Sequence, residues 1–479
     1  MSDLRVITPT GAEAALRETV VEEFESRLRG RLLRSGDPAY EEARLVWNDL
    51  IDKRPALIAR CTGVGDVIDS VNFAREKDLL LAVRGGGHNV AGNAVCDGGL
   101  VIDLSPMKRI RVDPERRTVR AEGGATWADL DQETQVFGLA TPGGEVSETG
   151  IAGLTLGGGI GLLRRKYGLS CDNLLSADVV SADGRLLTAS ETENADLFWG
   201  IRGGGGNFGV VTTFEYRLHP VGPEVMAAAV MYPFEQAAEL LYAWRDYTEQ
   251  APDEVTSEVL LWSIPDIPDF PEELRGEPTV VVAGMYAGQA EVGERELQPL
   301  REFGVPLIDL SGIEPYTAAQ SNFDGFFPEG LLYYWKSLYL DHLDDAVIDA
   351  MVVNAENRPS PQTLLIARNL GGTISRVPEE ATAYGNRNAR FNLSIDSTWE
   401  EPDQSERNIA WTRDVWTKMR QFSDGGIYLN FAGFLEEGEK LLHEAHGENY
   451  ERLVALKTKY DPTNLFRLNH NIKPTFPEA

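Results

Sequence analysis

The sequence predicts a two-domain α+β protein. Its 479 residues are too many for one ordinary compact domain, and 42% of them are hydrophobic and 25% charged, which is the balance of a globular chain with a large core. Helical and strand patterns alternate along the chain, and at His219–Pro220 glycine-rich segments give way to longer elements. We therefore expect a first domain over residues 1–220, a second over 221–425, and a C-terminal segment over 426–479.

Hydrophobic periodicity gives the elements of the first domain. Apolar residues near helical spacing predict an amphipathic helix over residues 11–34. Short β-branched and apolar runs after it predict strands, and amphipathic runs between them predict helices. The predicted strands are Ala56–Arg60, Leu79–Val83, Leu100–Asp103, Thr118–Glu122, Asp178–Ser181 and Val210–Leu218, and the predicted helices are Asp66–Lys77, Trp127–Phe137 and Ala195–Gly200.

The sequence pattern of the second domain predicts longer helices and apolar strands, separated by proline-rich turns such as Pro265–Pro271. The predicted helices are Glu235–Glu249, Ala346–Asn357 and Ser405–Phe422, and the clearest predicted strands are Thr279–Tyr286 and Leu332–Leu340.

The net charge of −30 is spread along the chain. An acidic surface of this kind repels nucleic acid and anionic membranes, so we expect neither as a partner. The basic residues are mostly arginine, and a dispersed acidic surface poor in lysine is favoured where salt screens the repulsion. We therefore expect adaptation to high salt.

The N-terminus has no basic start followed by an apolar stretch, and no apolar run approaches the roughly 18 residues that span a bilayer. A cytoplasmic location is the expectation. Cys61, Cys96 and Cys171 are too few and too scattered for a disulfide framework or a zinc site.

Glycine is concentrated in three segments, over residues 84–92, 141–161 and 202–211. Such clusters form tight turns or bring backbone N–H groups close to an anion such as a pyrophosphate. Gly204, Gly206 and Gly209 fit the spacing G-x-G-x-x-G, but the residues that follow read as a strand, whereas a dinucleotide fingerprint opens a helix. The Rossmann interpretation is therefore rejected, and no P-loop motif occurs.

Four long motifs resemble one family. RGGGHNVAG, SETGIAGLTLGGGIG, RKYGLSCDNLLSADVVSADG and LFWGIRGGGGNFGVVTTFEYRLHP, together with the C-terminal YDPTNLFRLNHNIKP, are similar to the berberine-bridge-enzyme-like oxidases of the vanillyl-alcohol-oxidase superfamily. The resemblance covers residues 45–220 and 425–479 in detail. It implies a PCMH-type FAD-binding domain, a substrate domain with an antiparallel sheet flanked by helices, and a tail that returns to the flavin.

The resemblance implies that His88 carries the flavin covalently. Val146 stands where many relatives have a second attachment cysteine, so a single attachment is expected, as in the bacterial 6-hydroxynicotine-oxidase-like branch. Thr149 stands at the position that controls access of oxygen, which leaves oxidase and dehydrogenase open and favours oxidase. The other implied FAD contacts are Arg84, Gly85, Gly86, Gly87, Asn89 and Gly92 near His88, Gly150, Gly153, Gly157, Gly158, Gly159 and Gly161 near the pyrophosphate, Asp172, Asn173, Gly209 and Val211 near the adenosine, and Asn469 and Asn471 along the ring.

The resemblance also implies a catalytic base. Tyr428 lies in a Y-x-N segment at the family's position for a tyrosine base, although a packed strand tyrosine is the alternative. A phenol of pKa near 10 needs a cation beside it to act as a base, and Lys336 is the candidate unless it is a surface lysine. Tyr339 or Tyr334 is the candidate for a second hydroxyl.

The expected reaction is hydride transfer from a CH–OH or CH–NH group of a small alcohol, sugar or secondary amine to FAD, with reoxidation by O2 or another acceptor. A pocket rich in Trp262, Phe326, Phe327 and Trp335 would favour a natural-product tailoring oxidase instead. A flavin-binding protein without turnover is the alternative from another class. The sequence fixes neither the substrate nor the oligomeric state.

Overall fold

The computed structural model describes residues 3–423, 425–434 and 438–475. These residues form three large sheets with helices packed on them, which confirms the predicted α+β class. None of the helices in the described ranges is long and apolar enough to cross a membrane.

The first sheet is four-stranded and contains the N-terminal part of the chain. Its order is Arg31–Leu33, Leu57–Arg60, Leu100–Asp103, Leu81–Arg84, with the last three strands parallel. Helices Glu18–Arg27 and Val64–Glu76 share a core with it, and Leu4–Ile7 pairs with Glu13–Leu16 in a separate hairpin.

The single helix predicted over residues 11–34 is wrong. The structure has the strand Glu13–Leu16, the helix Glu18–Arg27 and the strand Arg31–Leu33 in that range. Arg31–Leu33 pairs with Leu57–Arg60, so Leu32 and Leu33 are buried by strand pairing although their spacing also suits a helix. Sheet formation with a distant segment overrides the local pattern here.

The second sheet is antiparallel and five-stranded; three of its strands lie close to their predicted positions, and Leu186–Ser190 and Ile110–Asp113 were not predicted. Its order is Leu186–Ser190, Leu174–Val180, Val210–Arg217, Thr118–Glu122, Ile110–Asp113. Its core also holds side chains of the helices Trp127–Gln135, Ile151–Leu156, Ala195–Gly200, Glu439–His446 and Tyr450–Tyr460. The last two helices bring the end of the chain back onto this sheet, where buried Lys457 donates hydrogen bonds to the carbonyl oxygens of Asn207 and Phe466, both at 2.8 Å.

The third sheet is antiparallel and is built from residues 224–399. Its order is Ile308–Asp309, Glu224–Pro233, Pro278–Tyr286, Val255–Ser263, Leu364–Asn369, Phe391–Trp399, Leu332–Leu340, and Gly312–Pro315 also pairs with the second of these. One face packs on the helices Ala237–Thr248, Ala290–Arg301, Asp345–Glu356 and Ser405–Met419. The other face packs on residues of the first half of the chain, including Trp47, Val90 and Val146.

Shorter elements connect these layers. They include the α-helices Tyr40–Arg44, Arg164–Tyr167, Tyr316–Ser321 and Thr373–Arg376, single turns of 3-10 helix such as Ser170–Asn173 and Leu429–Phe431, and the paired strands Leu139–Ala140 and His219–Pro220.

Candidate active site

A glycine-lined cavity lies where the first two sheets, the third sheet and the C-terminal tail meet. Its volume is about 260 Å³, counted as the space open to the centres of water-sized spheres. Backbone of all three glycine segments forms one wall, and side chains of the third sheet form the opposite end. The lining includes Gly85, Gly86, Gly87, His88, Asn89, Val146, Thr149, Gly150, Gly153, Gly157, Gly203, Gly204, Gly205, Gly206, Gly209, Val211, Trp335, Arg368, Asp396, Tyr428, Asn430, Phe431 and Asn469.

Two of the glycine segments touch each other directly at this wall. A Cβ atom added to Gly86 would lie 2.5 Å from the backbone nitrogen of Gly150, so no side chain fits there. Because glycines of all three segments line the cavity, backbone groups face it there, as a cradle for a phosphate-bearing cofactor requires. Gly203–Gly206 belong to the same wall. They were not among the predicted contacts, although the concentration of glycine in this segment indicated a role of this kind.

His88 lines the cavity and is half-buried. Its Nε2 has no hydrogen-bond partner among the residues that the structure describes, and its ring stacks on Trp47 with centroids 4.2 Å apart. Burial lowers the pKa of His88 to about 4, so the imidazole is neutral at pH 7. An orphaned, neutral ring nitrogen inside a backbone cradle fits covalent attachment of a flavin. Thr149 and Val146 line the same cavity.

Part of the predicted pyrophosphate run serves another purpose. Gly157 lines the cavity, but the N–H of Gly159 points at the hydroxyl oxygen of Tyr428, 3.1 Å away. A Cβ atom on Gly161 would lie 2.0 Å from the carbonyl oxygen of Gly143. Gly158, Gly159 and Gly161 lie outside the lining, and the close approach there is between segments of the protein itself.

Asp172 and Asn173, which were predicted to contact the adenosine, also lie outside the lining. Both carboxylate oxygens of Asp172 pair with buried Arg387, at 2.7 and 2.8 Å. Asn173 donates to the carbonyl oxygens of Tyr167 and Leu169, and its own oxygen is 2.7 Å from His219 Nε2. Because their polar atoms are engaged within the protein, neither residue reaches the cavity, whereas Gly209 and Val211 line it.

Three other residues predicted to contact FAD also lie outside the lining, and one lies within it. Arg84 donates to the carbonyl oxygen of Ala43, and Gly92 lies against Ile51. Asn471 is not part of the lining either. Asn469 lines the cavity and donates to the carbonyl oxygen of Gly206 at 3.2 Å.

Tyr428 lines the cavity, but its hydroxyl oxygen is fully engaged. The N–H groups of Gly159 and Ile160 and the amide of Asn430 point at it from 3.1, 3.2 and 2.8 Å. Burial raises the pKa of Tyr428 to about 12, although these hydrogen bonds oppose the rise. The phenol therefore stays protonated at neutral pH and anchors the 157–161 loop.

Lys336 was predicted to face the cavity, but it does not. Its neighbour Trp335 points into the cavity, so Lys336 projects from the other face of the strand, where its ammonium lies 4.0 Å from the ring centroid of Trp416. Tyr339 pairs with Tyr384, hydroxyl to hydroxyl at 2.5 Å, and Tyr334 accepts a hydrogen bond from Arg413. None of these three residues lines the cavity.

Asp396 is a titratable group that the sequence analysis missed. It is fully buried on the strand Phe391–Trp399 and lines the cavity, and its Oδ1 has no hydrogen-bond partner in the described ranges. Its Oδ2 accepts a hydrogen bond from Ser394 at 3.0 Å and lies 3.9 Å from Arg368. Burial raises the pKa of Asp396 to about 7, with Arg368 acting against the rise.

Asp396 belongs to a buried cluster of charged side chains at the junction of the two halves. Glu145 bridges the guanidinium groups of Arg164 and Arg368, at 2.9 and 2.8 Å. Glu258 lies 3.4 Å from Arg164 and 3.6 Å from Arg368. Burial and the neighbouring Glu145 raise the pKa of Glu258 above its usual range.

The end of the cavity at the third sheet is aromatic. Trp335 meets Phe327 and Phe431 edge to face, with centroids 5.1 and 5.7 Å apart, and all three line the cavity. The indole N–H of Trp335 has no partner among the described residues. Trp262 and Phe326, also predicted for this pocket, pack on each other outside the lining.

Comparisons with known proteins agree with this architecture. A family model described as FAD binding domain matches residues 55–190, and one described as berberine and berberine like matches residues 427–473. An FAD-linked oxidoreductase from Dictyostelium discoideum is 34% identical over 461 residues, which are 95% of this chain and 97% of that protein. (R)-6-hydroxynicotine oxidase from Paenarthrobacter nicotinovorans is 30% identical, over 93% of this chain and 97% of its own.

A solved structure shows the same fold. The crystal structure of 6-hydroxy-D-nicotine oxidase from Arthrobacter nicotinovorans superimposes with a TM-score of 0.83 at 28% identity, covering 94% of this chain and 98% of the other. Fold and cavity thus define an FAD-dependent oxidoreductase. The chain belongs to the berberine-bridge-like family of FAD-linked oxidoreductases.

Proposed function

We propose that the protein holds FAD through one covalent bond to His88 and oxidises a CH–OH or CH–NH group of a small organic substrate, with dioxygen as the acceptor. The observation that carries this proposal is the unpartnered Oδ1 of Asp396, a buried carboxyl inside the cavity. The relative named (R)-6-hydroxynicotine oxidase supports an oxidase acting on a small molecule.

Bound FAD supplies the hydride acceptor. Asp396 accepts the O–H or N–H proton of the substrate on its free oxygen as the C–H bond breaks. Arg368 stabilises the ionised form of Asp396, and a base whose pKa lies near the working pH is efficient because it is ionised yet still basic. The aromatic rings around the site exclude water from the reacting groups.

The same end of the cavity indicates the shape of the substrate. Among the described residues, two unpartnered polar atoms line this end between aromatic rings, the donor indole N–H of Trp335 and the acceptor Oδ1 of Asp396. A small flat molecule with one acceptor and one donor satisfies both groups, whereas an oligosaccharide needs many polar partners. This favours the tailoring-type substrate over a sugar.

His88→Ala tests the attachment. We expect wild-type protein to keep yellow flavin fluorescence after denaturing electrophoresis and to gain the mass of one FAD, and His88→Ala to lose both, because His88 is the proposed link. His342→Ala removes an exposed histidine and should behave as wild type. A wild-type band without fluorescence would show that FAD is not covalently bound.

We also propose adaptation to high salt. Acidic side chains are exposed on both halves, for example Glu22 and Glu25 on one helix and Glu291 and Glu294 on another, and the net charge is −30. Salt shortens the Debye length from about 10 Å at 0.1 M to about 3 Å at 1 M, which relieves repulsion in the folded state. We expect the melting temperature to rise between these NaCl concentrations. An unchanged or lower value at 1 M contradicts the proposal.

A further inference from the structure

A short segment, Trp47–Asp49, lies between the residue proposed to bind flavin and the third sheet. The Trp47 ring is sandwiched between His88 and Tyr333, with centroid separations of 4.2 and 3.9 Å and interplanar angles of 17° and 19°. Its indole N–H donates to the carbonyl oxygen of Phe327 at 2.9 Å. One face of the His88 imidazole is thereby fixed by a ring that the third-sheet side of the molecule holds in place.

Hydrogen bonds of the Trp47–Asp49 segment also connect the backbone next to His88 with the third sheet. The Trp47 N–H donates to the carbonyl oxygen of Gly87, and the Asn48 amide donates to those of Val90 and Tyr333, at 3.2, 2.8 and 2.9 Å. The N–H of Tyr333 donates back to Asn48 at 3.0 Å. Asn48 is fully buried, so each of these bonds is protected from water.

We infer that Trp47 and Asn48 are positioning residues for covalent attachment of FAD at His88, and that they make attachment depend on docking of the third sheet. The inference rests on the proposed attachment at His88. The Trp47 ring fixes the plane of the imidazole and the Trp47 N–H holds the Gly87 carbonyl on one side of His88, while Asn48 holds the Val90 carbonyl on the other. Both residues are in turn held from the other side by Phe327 and Tyr333 of the 327–333 segment.

The reaction that these residues serve is oxidative. A bond forms between an imidazole nitrogen and the 8α carbon of the flavin, and one C–H bond of that methyl group and the imidazole N–H bond break. Two protons leave, and two electrons pass to the isoalloxazine ring, from which dioxygen removes them with two protons as hydrogen peroxide. The attacking nitrogen must point at one carbon atom, so orientation of the ring controls the rate.

The test compares Trp47→Leu, Trp47→Phe and Trp244→Leu. Leucine fills space without stacking, phenylalanine keeps a stacking ring, and Trp244 is a fully buried tryptophan on the helix Ala237–Thr248, in the core on the other face of the third sheet, that controls for loss of core volume. Each purified protein is incubated with excess FAD, and flavin retained after acid precipitation is compared with total bound flavin over time. His88→Ala sets the background.

We expect covalent flavin to form about 10- to 100-fold more slowly in Trp47→Leu, with total bound flavin unchanged, because a misplacement of about 1 Å is enough for such a loss. Trp47→Phe should recover most of the rate, and Trp244→Leu should match wild type. Attachment at the wild-type rate in Trp47→Leu overturns the inference and leaves the His88 link standing. Loss of total and covalent flavin together in Trp47→Leu assigns Trp47 to FAD binding and also overturns it. Wild-type protein without covalent flavin refutes the His88 link and the inference with it.

Discussion

Replacing Asp396 with asparagine is expected to slow reduction of the flavin by substrate about 10²- to 10⁴-fold, the usual contribution of a positioned general base. Asparagine has nearly the same shape but cannot take the proton that leaves with the hydride. The change is measured in anaerobic stopped-flow experiments as loss of flavin absorbance, which separates the reduction step from reoxidation by the acceptor.

The pH dependence gives a second signature of the same residue. The pKa of Asp396 is raised to about 7, so its ionised, basic form predominates only above that pH. The wild-type reduction rate should therefore rise with pH through about 7 and level off above it. Asp396→Asn should lose this step, because no ionisation of that side chain remains.

Two controls keep the result specific to the base. Tyr428→Phe should keep the step near pH 7, because the pKa of Tyr428 is raised to about 12 and its hydroxyl is engaged by backbone N–H groups. The second control is thermal unfolding at pH 6, which checks that Asp396→Asn folds normally. At that pH Asp396 of the wild type is mostly protonated, so two neutral side chains are compared. A variant that folds normally but keeps the wild-type rate and pH step would exclude Asp396 as the base.

The cofactor side of the cavity was predictable because its residues are close together in sequence. The Gly85–Asn89 run, Thr149–Gly150 and Asn469, all predicted to contact FAD, line the cavity, and each lies within a contiguous motif. Backbone cradles are built from local turns, so a short stretch of sequence carries most of the information about them. What sequence could not show was which glycines meet the cofactor and which, like Gly161, pack on other protein segments.

The substrate side was not predictable because its residues meet only through strand register. Glu258 and Arg368 are directly opposite each other on neighbouring strands, although 110 positions separate them in the chain. Asp396 comes from a third strand, paired with the same Arg368 strand. One signal was present: Asn392, Ser394 and Asp396 alternate with apolar residues, which places three polar side chains on one face of a buried strand.

Lys336 shows the limit of that alternation rule. Every residue of its strand, Leu332–Leu340, is buried, so hydrophobicity does not distinguish the face toward the cavity from the face toward the helices. Only the packing of Trp335 into the cavity and of Lys336 over Trp416 decides the assignment.

Replacing Arg164 with methionine is expected to lower the free energy of unfolding by about 3–5 kcal/mol, the usual cost of removing one partner from a buried ion pair. Arg164 is fully buried and contacts Glu145 at 2.9 Å, Glu258 at 3.4 Å and the carbonyl oxygen of Asn369 at 2.9 Å. Methionine fills similar space but leaves the carboxylate of Glu145 with only Arg368 as a charged partner. The change is measured as a shift of the urea unfolding transition at fixed salt.

Arg185→Met is the matched control, because Arg185 pairs with Asp183 at 2.6 Å on the surface, where such a pair contributes only about 0–1 kcal/mol. Adding Glu145→Gln to Arg164→Met should recover part of the loss, since it removes the carboxylate that methionine leaves under-compensated. A loss below about 1 kcal/mol for Arg164→Met, or no recovery in the double variant, would mean that the cluster does not stabilise the junction between the two halves. A substantial loss of stability in Arg164→Met, with recovery in the double variant, would tie the stability of that junction to these carboxylates. The same carboxylates face Asp396 across Arg368, so assembly of the two halves and the proton balance of the site would depend on one group of charges.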